Sequence, residues 1–266
     1  MSAVRVAAII PARMASSRFP GKPLLEVEGL PMIEHVRRRT RLCRRFSEVV
    51  VATCDEAIAE VVRGYGGVCL MTSPTHPAAT DRVGEAATQL DCTHAVNVQG
   101  DEILVMPSDL ERMVRAIEAE PGVPAWNATA RIERMEELAD PSIVKAAVSL
   151  SGRILYCARD FTALAARGPE AVEALRKLLG ILGYRRDFLE RYGRMSRTPL
   201  ELAGSMDQSR IIEHDVLFRA VEFSNGYPGI NEPRELTGVE RVLAEDPAQA
   251  ALLQEVVGAW PIRSST

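Results

Sequence analysis

Along the first hundred residues, short apolar runs alternate with stretches in which apolar side chains recur every three or four positions. Residues 4–10, 48–52, 67–71 and 95–98 read as strands, because each is mostly apolar and too short for a buried helix. Residues 32–42, 57–64 and 80–90 carry helical spacing, and Ser108 is placed to cap a further helix running to residue 119. Strands apolar on both faces and separated by helices predict a parallel sheet covered on both sides, with right-handed crossovers. Ligands of such sheets bind beyond the carboxyl ends of the strands.

From about Trp126 the pattern changes. Residues 145–150 and 153–158 predict a hairpin around Ser151-Gly152, and hence antiparallel pairing. Residues 168–177 read as a helix, 179–184 as a strand, and 232–244 as a last helix after the turn "GYPGINEP". The expected organisation is one α/β domain over 1–266. It has a first part over 1–125, a smaller antiparallel part over 126–200 and a return to the main sheet over 201–250.

Composition narrows the class. The 266 residues are 47% hydrophobic and 26% charged, enough for a sizeable core, and the formal net charge is −4. A globally acidic chain is a poor nucleic-acid coat, so any basic cluster is a local device. Five cysteines, an odd number with no CxxC pair, fit reduced thiols better than a disulfide frame or a zinc site. The opening residues carry too short an apolar run for a signal peptide, and no segment approaches a membrane span. A cytoplasmic protein with no nucleic-acid or membrane partner is expected.

Three loops carry candidate chemistry. The first strand runs into "PARMASSRFPGKPL", which places Arg13, Arg18 and Lys22 with no acid among them, while Pro20 and Gly21 let the backbone turn tightly. Forked guanidinium groups and a compact ammonium suit a polyphosphate, whose charge must be dispersed as pyrophosphate leaves; a merely solvated basic loop is the plainer alternative. "NVQGDE" ends another strand in Asp101 and Glu102, where a carboxylate can share Mg2+ with phosphate oxygens, or can simply be solvated. "ATDRV" reads as a helix start in which Thr80 caps and Asp81 sits in the first turn. GxGxxG and GxxxxGK[ST] are both missing from the sequence, which weakens hydride-transfer and P-loop readings, and Ser16-Ser17 has no GxSxG context. His76, His94 and His214 are scattered and read as surface or structural residues, and Tyr156 and Tyr184 as core packing.

Taken together, "IIPARMASSRFPGKPL", "VATCDE", "ATDRV", "VNVQGDE", "DPSIVKAAV", "LGILGYRRDFL", "TPLEL" and "GINEPREL" resemble the CMP-Kdo synthetase family in order and spacing over about residues 5–240. The resemblance implies a Rossmann-like nucleotide-diphosphosugar transferase fold. Its sheet is mostly parallel and carries a smaller antiparallel dimerisation or lid part, so a homodimer is expected. It implies transfer of CMP from CTP to an acid, with Mg2+ and release of pyrophosphate, in a CTP-binding part over 1–125. Carried over, Arg13, Arg18 and Lys22 would hold the triphosphate, and Arg13, Lys22 and Asp101 would be the catalytic set. Thr80, Asp81, Arg82 and Gln99 would surround the nucleotide, and Asp101 and Asn231 would be the metal ligands.

The departures cluster on the acceptor side. The family's His-x-Gly-Ile-Tyr-Gly-Tyr-Arg is here LLGILGYR, so the His and first Tyr, which face the sugar acid, are Leu178 and Leu182. The acidic stretch Glu-x-Leu-Glu-Gln-Leu-Arg becomes GSMDQSR, leaving Asp207 and Gln208 as acceptor candidates. The late Gly-Val-Asp-Thr-Pro is GINEP, with Asn231 for the acid; Asn231 can instead cap the helix that follows. Leucines cannot pair the hydroxyls of a sugar, and a buried hydroxyl left unpaired loses about 1–3 kcal/mol. A small, highly charged acceptor such as phosphonoformate, held by Arg159, Lys177 and Arg185, is therefore expected in place of Kdo. An ordinary Kdo enzyme with a drifted pocket, and a nucleotide-binding protein without turnover, stay open.

Overall fold

The computed structural model describes residues 3–15 and 19–258. One sheet organises them. Strand β1 (Val6–Ala12) is followed by a small ribbon, β2 (Glu26–Val27) and β3 (Leu30–Pro31), then helix α1 (Met32–Leu42). Strand β4 (Glu48–Thr53), α2 (Glu56–Gly64), β5 (Val68–Met71), α3 (Ala79–Thr88), β6 (His94–Val98) and α4 (Pro107–Ala119) complete the alternating half. The second half holds β7 (Ala125–Arg131), β8 (Lys145–Val148), β9 (Ile154–Ala158), the short helices α5 (Thr162–Ala165) and α6 (Pro169–Glu173), and the long strand β10 (Leu175–Arg185). Helices α7 (Arg186–Tyr192), α8 (Pro199–Gly204) and α9 (Gln208–Glu213), strand β11 (Phe218–Glu222), and helices α10 (Leu236–Glu245) and α11 (Pro247–Gly258) follow.

The strand order is β11-β7-β10-β6-β1-β4-β5. Strands β6, β1, β4 and β5 pair in parallel, as their apolar runs predict, and β7 pairs in parallel with β11. Strand β10 runs antiparallel between β6 and β7. Its first residues also pair with β8, which forms the expected hairpin with β9. The change of pattern near Trp126 therefore does not divide two sheets: β7 and β10 are interior strands of the main one. Apolar side chains of α1, α2 and α4 cover one face, including Ile33, Val36, Ile58 and Leu110. Those of α3, α7 and α9 cover the other, including Val83, Phe188 and Ile211. No helix among the described residues is long and apolar enough to cross a membrane.

Several local expectations need correction. Residue Ser108 lies inside α4, whose cap is Met106 with Pro107 in the first turn, so the proline and not the serine marks the start. The helix expected over 168–177 is only α6; from Leu175 the chain is recruited into β10 by pairing on both sides. Tyr156, expected in the core, is exposed on β9, the outer strand of the hairpin. Strands β7 and β11 and helix α11 carried no signal strong enough to be predicted.

Candidate active site

The carboxyl ends of β1 and β6 open onto one cleft of about 250 Å³. Arg13 and Lys22, from the loop after β1, meet Gln99, Gly100 and Asp101, from the loop after β6, and Arg82 and the Ala78-Ala79 backbone at the start of α3. The first loop folds back because Gly21 adopts φ 76°, a left-handed conformation that suits glycine, and donates its N–H to the Met14 carbonyl at 3.0 Å. Met14 is anchored in turn by the Asp55 carboxylate at 2.8 Å. Arg18 lies outside the described residues.

Lysine 22 bonds Asp101 across the cleft, Nζ to Oδ2, at 2.8 Å, with both side chains partly accessible. Arg13 is exposed and forms no ion pair among the described residues. The Arg82 guanidinium is buried in the wall, donating to Thr72 Oγ1 and, at 3.5 Å, to Cys54 Sγ. Among the described residues no carboxylate forms an ion pair with it, although its charge and that of Glu85 influence each other, and the side chain lines the cleft. Helix α3 is capped by Ala78, which has no side-chain hydrogen bond to give, leaving first-turn N–H groups beside the same cleft. Thr80 is thus not the cap. It lies in the first turn and donates to Asp207 Oδ2 at 2.7 Å.

Two carboxyl groups at the tip of the β6 loop behave differently. Glu102 Oε1 accepts the Gly180 N–H at 2.6 Å. Burial, and then the charge of Asp101, push its carboxyl up to about 7, against that hydrogen bond and Lys22. Asp101 faces the cleft. Its carbonyl oxygen accepts the Ile230 N–H at 3.3 Å, and a Cβ on Gly229 would stand 2.9 Å from it, so residues 229–231 are tied directly beside Asp101. Asn231 is the next residue along. It is not a helix cap: Glu232 caps the short 3-10 turn Pro233–Glu235, paired reciprocally with Glu235, and Glu235 caps α10.

A buried polar cluster lies behind α3. The Asp207 carboxyl is raised above its usual range by burial. Arg210 binds Glu201 through two nitrogens at 2.8 and 2.5 Å, stacks over Tyr192 at 4.3 Å and stands 4.0 Å from Asp81. One carboxylate oxygen of Asp81 is buried without a hydrogen bond. Gln208 is buried at the start of α9. The cluster joins Thr80 and Asp81 to Asp207, and adds Arg210 and Glu201, whose pairing needed the tertiary contact of α8, α9 and α3.

The three cations expected around the acceptor are not brought together. Lys177 is buried against Glu137 at 2.9 Å. Arg159 donates to the Pro141 carbonyl at 2.6 Å. Arg185 pairs in register with His94, at the amino end of β6, and bonds Asp187, so it lies at the opposite edge of the sheet from Asp101. His76, expected to be a surface or structural residue, lines the cleft and is held by Glu85.

Comparison with known proteins identifies the family. The profile of the family described as Cytidylyltransferase matches residues 7–219. The 3-deoxy-manno-octulosonate cytidylyltransferase of Geobacter metallireducens is 38% identical over 250 residues, covering 91% of this chain and 98% of the relative. That of Geobacter sulfurreducens is 38% identical over 245 residues, covering 89% and 98%. Among solved structures, CMP:2-keto-3-deoxy-manno-octonic acid synthetase complexed with CTP superposes with a TM-score of 0.83 at 33% identity, covering 91% of this chain and 99% of that one. A cleft lined by Arg13, Lys22 and Arg82 at the carboxyl edge of the sheet, and similarity along nearly the whole chain, place this protein in the cytidylyltransferase family with the CMP-Kdo synthetases, as a CTP-dependent enzyme.

Proposed function

We propose that the enzyme joins CMP from CTP to a small acidic acceptor other than Kdo, a phosphonate such as phosphonoformate being the class that suits it, and releases pyrophosphate. An acceptor oxygen attacks the α-phosphorus, the bond from that phosphorus to the bridging oxygen breaks, and pyrophosphate departs with the electron pair. Arg13, Lys22 and Arg82 converge where that charge develops, and the free N–H groups of α3 add partial positive charge. Gln99 and the start of α3, with Thr80 and Asp81, bound the nucleotide side.

A divalent metal fits the tip of the β6 loop. Asp101 is an accessible carboxylate, and Asn231 follows a residue bonded to its backbone. Among the described residues no three His, Cys, Asp or Glu side chains gather into a metal cage, so phosphate oxygens must complete the coordination, as magnesium prefers. Mg2+ would supply charge neutralisation on the phosphates; the chain holds Asp101 in place through Lys22 and the Ile230 N–H.

The observation that carries the acceptor reading is the pair of leucines on β10. Leu182 is 1% exposed and packs with Tyr184 and Phe188, and Leu178 lies on the same face. Those two positions carry aliphatic side chains packed on the core where the resemblance places hydroxyl-reading groups, so neither can pair a sugar hydroxyl. Lys177, Arg159 and Arg185 are engaged elsewhere, so they do not gather into an acceptor site. The 38% identity to enzymes named for Kdo favours the second reading, a Kdo enzyme that tolerates its leucines. The Lys22–Asp101 pair favours turnover over mere nucleotide binding.

For the assembly, β9 is an outer strand exposing Leu155 and Tyr156, the expected place for a second copy to pair in a homodimer. The deciding assay is pyrophosphate release from CTP with Mg2+ against Kdo, related sugar acids and small phosphonates. Turnover with a phosphonate and none with Kdo is the expected result. Efficient turnover with Kdo would establish the second reading.

A further inference from the structure

Strand β10 does not pair evenly with β7. Leu178 stands opposite Thr129 and Leu182 opposite Asn127, so β10 spends two more residues than β7 over the same span. Residues 179–181 bulge as a result. Asn127, wholly buried in β7, holds the bulge: its side-chain Nδ2 donates to the Leu179 carbonyl at 2.8 Å, and also meets the carbonyls of Ile181 at 3.4 Å and Ala128 at 2.8 Å. Three carbonyl oxygens around one atom settle which end of the amide is nitrogen.

The bulge exposes the Gly180 peptide to the cleft loop. The Gly180 carbonyl accepts the Gln99 N–H at 2.9 Å, and the Gly180 N–H donates to Glu102 Oε1 at 2.6 Å. These two bonds grip the loop on either side of Gly100 and Asp101. A chain of contacts thus runs from Asn127 through the bulge to the loop that carries Asp101.

The amide is an expensive choice for this site. Its Oδ1 finds no hydrogen-bond partner, in a neighbourhood where Asn97 and Thr129 also carry unpartnered polar atoms. The facing residue is Leu182, and an aliphatic side chain would pack against it without leaving a buried oxygen unpaired. What an aliphatic side chain cannot do is bind the two bulge carbonyls. We propose that Asn127 is a positioning residue of this enzyme, fixing the β10 bulge so that Gly180 holds the Gln99–Glu102 loop in its working geometry. The proposal rests on the CTP chemistry of the family and not on which acceptor is used.

Asn127→Val and Asn127→Thr form the test, since the two are nearly isosteric and only threonine keeps one donor. Displacing a loop by a fraction of an ångström costs up to about 100-fold in rate. In Asn127→Val, turnover is expected to fall about 10-fold or more while the KM for CTP, set by Arg13, Lys22 and Arg82, stays within about threefold. Hydrogen exchange at Gln99 and Gly180 should speed up with little change in melting temperature, and Asn127→Thr should recover part of both effects. Unchanged exchange and turnover in Asn127→Val would overturn the proposal. So would losses equal in the two variants that merely follow a lowered melting temperature. Should the wild type release pyrophosphate with none of the acceptors tried, the acceptor reading fails while the exchange comparison still decides the role of Asn127.

Discussion

Lys22 and Asp101, 79 residues apart in the chain, close the mouth of the cleft with a 2.8 Å ion pair. Each holds the other in the place where a triphosphate and its counter-ion would meet. The pair is part-buried at the edge of the cleft, where it fixes both side chains. Asp101→Asn keeps the shape and removes the charge, and should lower turnover by roughly 100-fold or more with the melting temperature nearly unchanged. Lys22→Ala should lower turnover by about 100-fold and weaken CTP binding as well. Pyrophosphate release and a CTP titration of each variant check both outcomes; near-normal turnover in Asp101→Asn would remove Asp101 from the metal role.

Gly180 sits where no side chain fits. A Cβ there would stand 2.6 Å from Glu102 Oε1 and 3.1 Å from Gln99 Oε1. Gly180→Ala must therefore push Glu102 off the Gly180 N–H and shift the loop bearing Asp101. The expected result is a loss of turnover of at least about 10-fold, with modest loss of stability. Kinetics and thermal melts on the same preparation separate the two.

Glu102 gives a pH signature. Its carboxyl is pushed from 4.5 up to about 7, first by burial and then by Asp101. The folded protein therefore binds a proton that the unfolded chain has already lost between these values. The contribution of this group to stability is full below about 4.5 and is lost as pH rises through about 7. Glu102→Gln should flatten that fall and raise the melting temperature at pH 8 relative to wild type. A steeper fall in the variant would show the sign to be wrong.

The buried pair of Arg210 and Glu201 works in the opposite sense. Burial opposes ionisation of Glu201, but hydrogen bonds from Arg210 and Arg197 outweigh it and hold the carboxyl at about 2. Its contribution is present above about 4.5 and lost as pH falls toward 2. Removing Glu201 leaves the buried Arg210 charge only the 4.0 Å contact with Asp81 and the Tyr192 ring, so Glu201→Gln should cost up to about 3–5 kcal/mol, measured by denaturant unfolding at pH 7. A change below 1 kcal/mol would mean that solvent reaches Arg210.

Much of the alternating half is legible in the sequence because its signals are local. Helix α1 occupies the predicted residues 32–42, and β4, α2, β5, α3 and β6 differ from expectation by one or two residues at either end. An amphipathic period or a short apolar run between turns is encoded in neighbouring side chains, and a parallel sheet follows from their alternation. The loop cations and the Gln99–Glu102 stretch are legible for the same reason, since each directly follows an apolar strand. The second half is not encoded in that way. That β10 inserts antiparallel between β6 and β7, bulges at residues 179–181 and draws in the segment read as helix depends on pairing between residues far apart in the chain, such as Arg176 with Arg131 and Leu182 with Asn97. The fate of a charged side chain depends on the same pairing. Lys177 meets Glu137 in the interior, and Arg185 is carried to the far edge by the register that sets it beside His94. Sequence determined which groups can bind phosphate and where strands must end; tertiary structure decided which cations remain free to do so, because a charge is available only when no buried partner has claimed it.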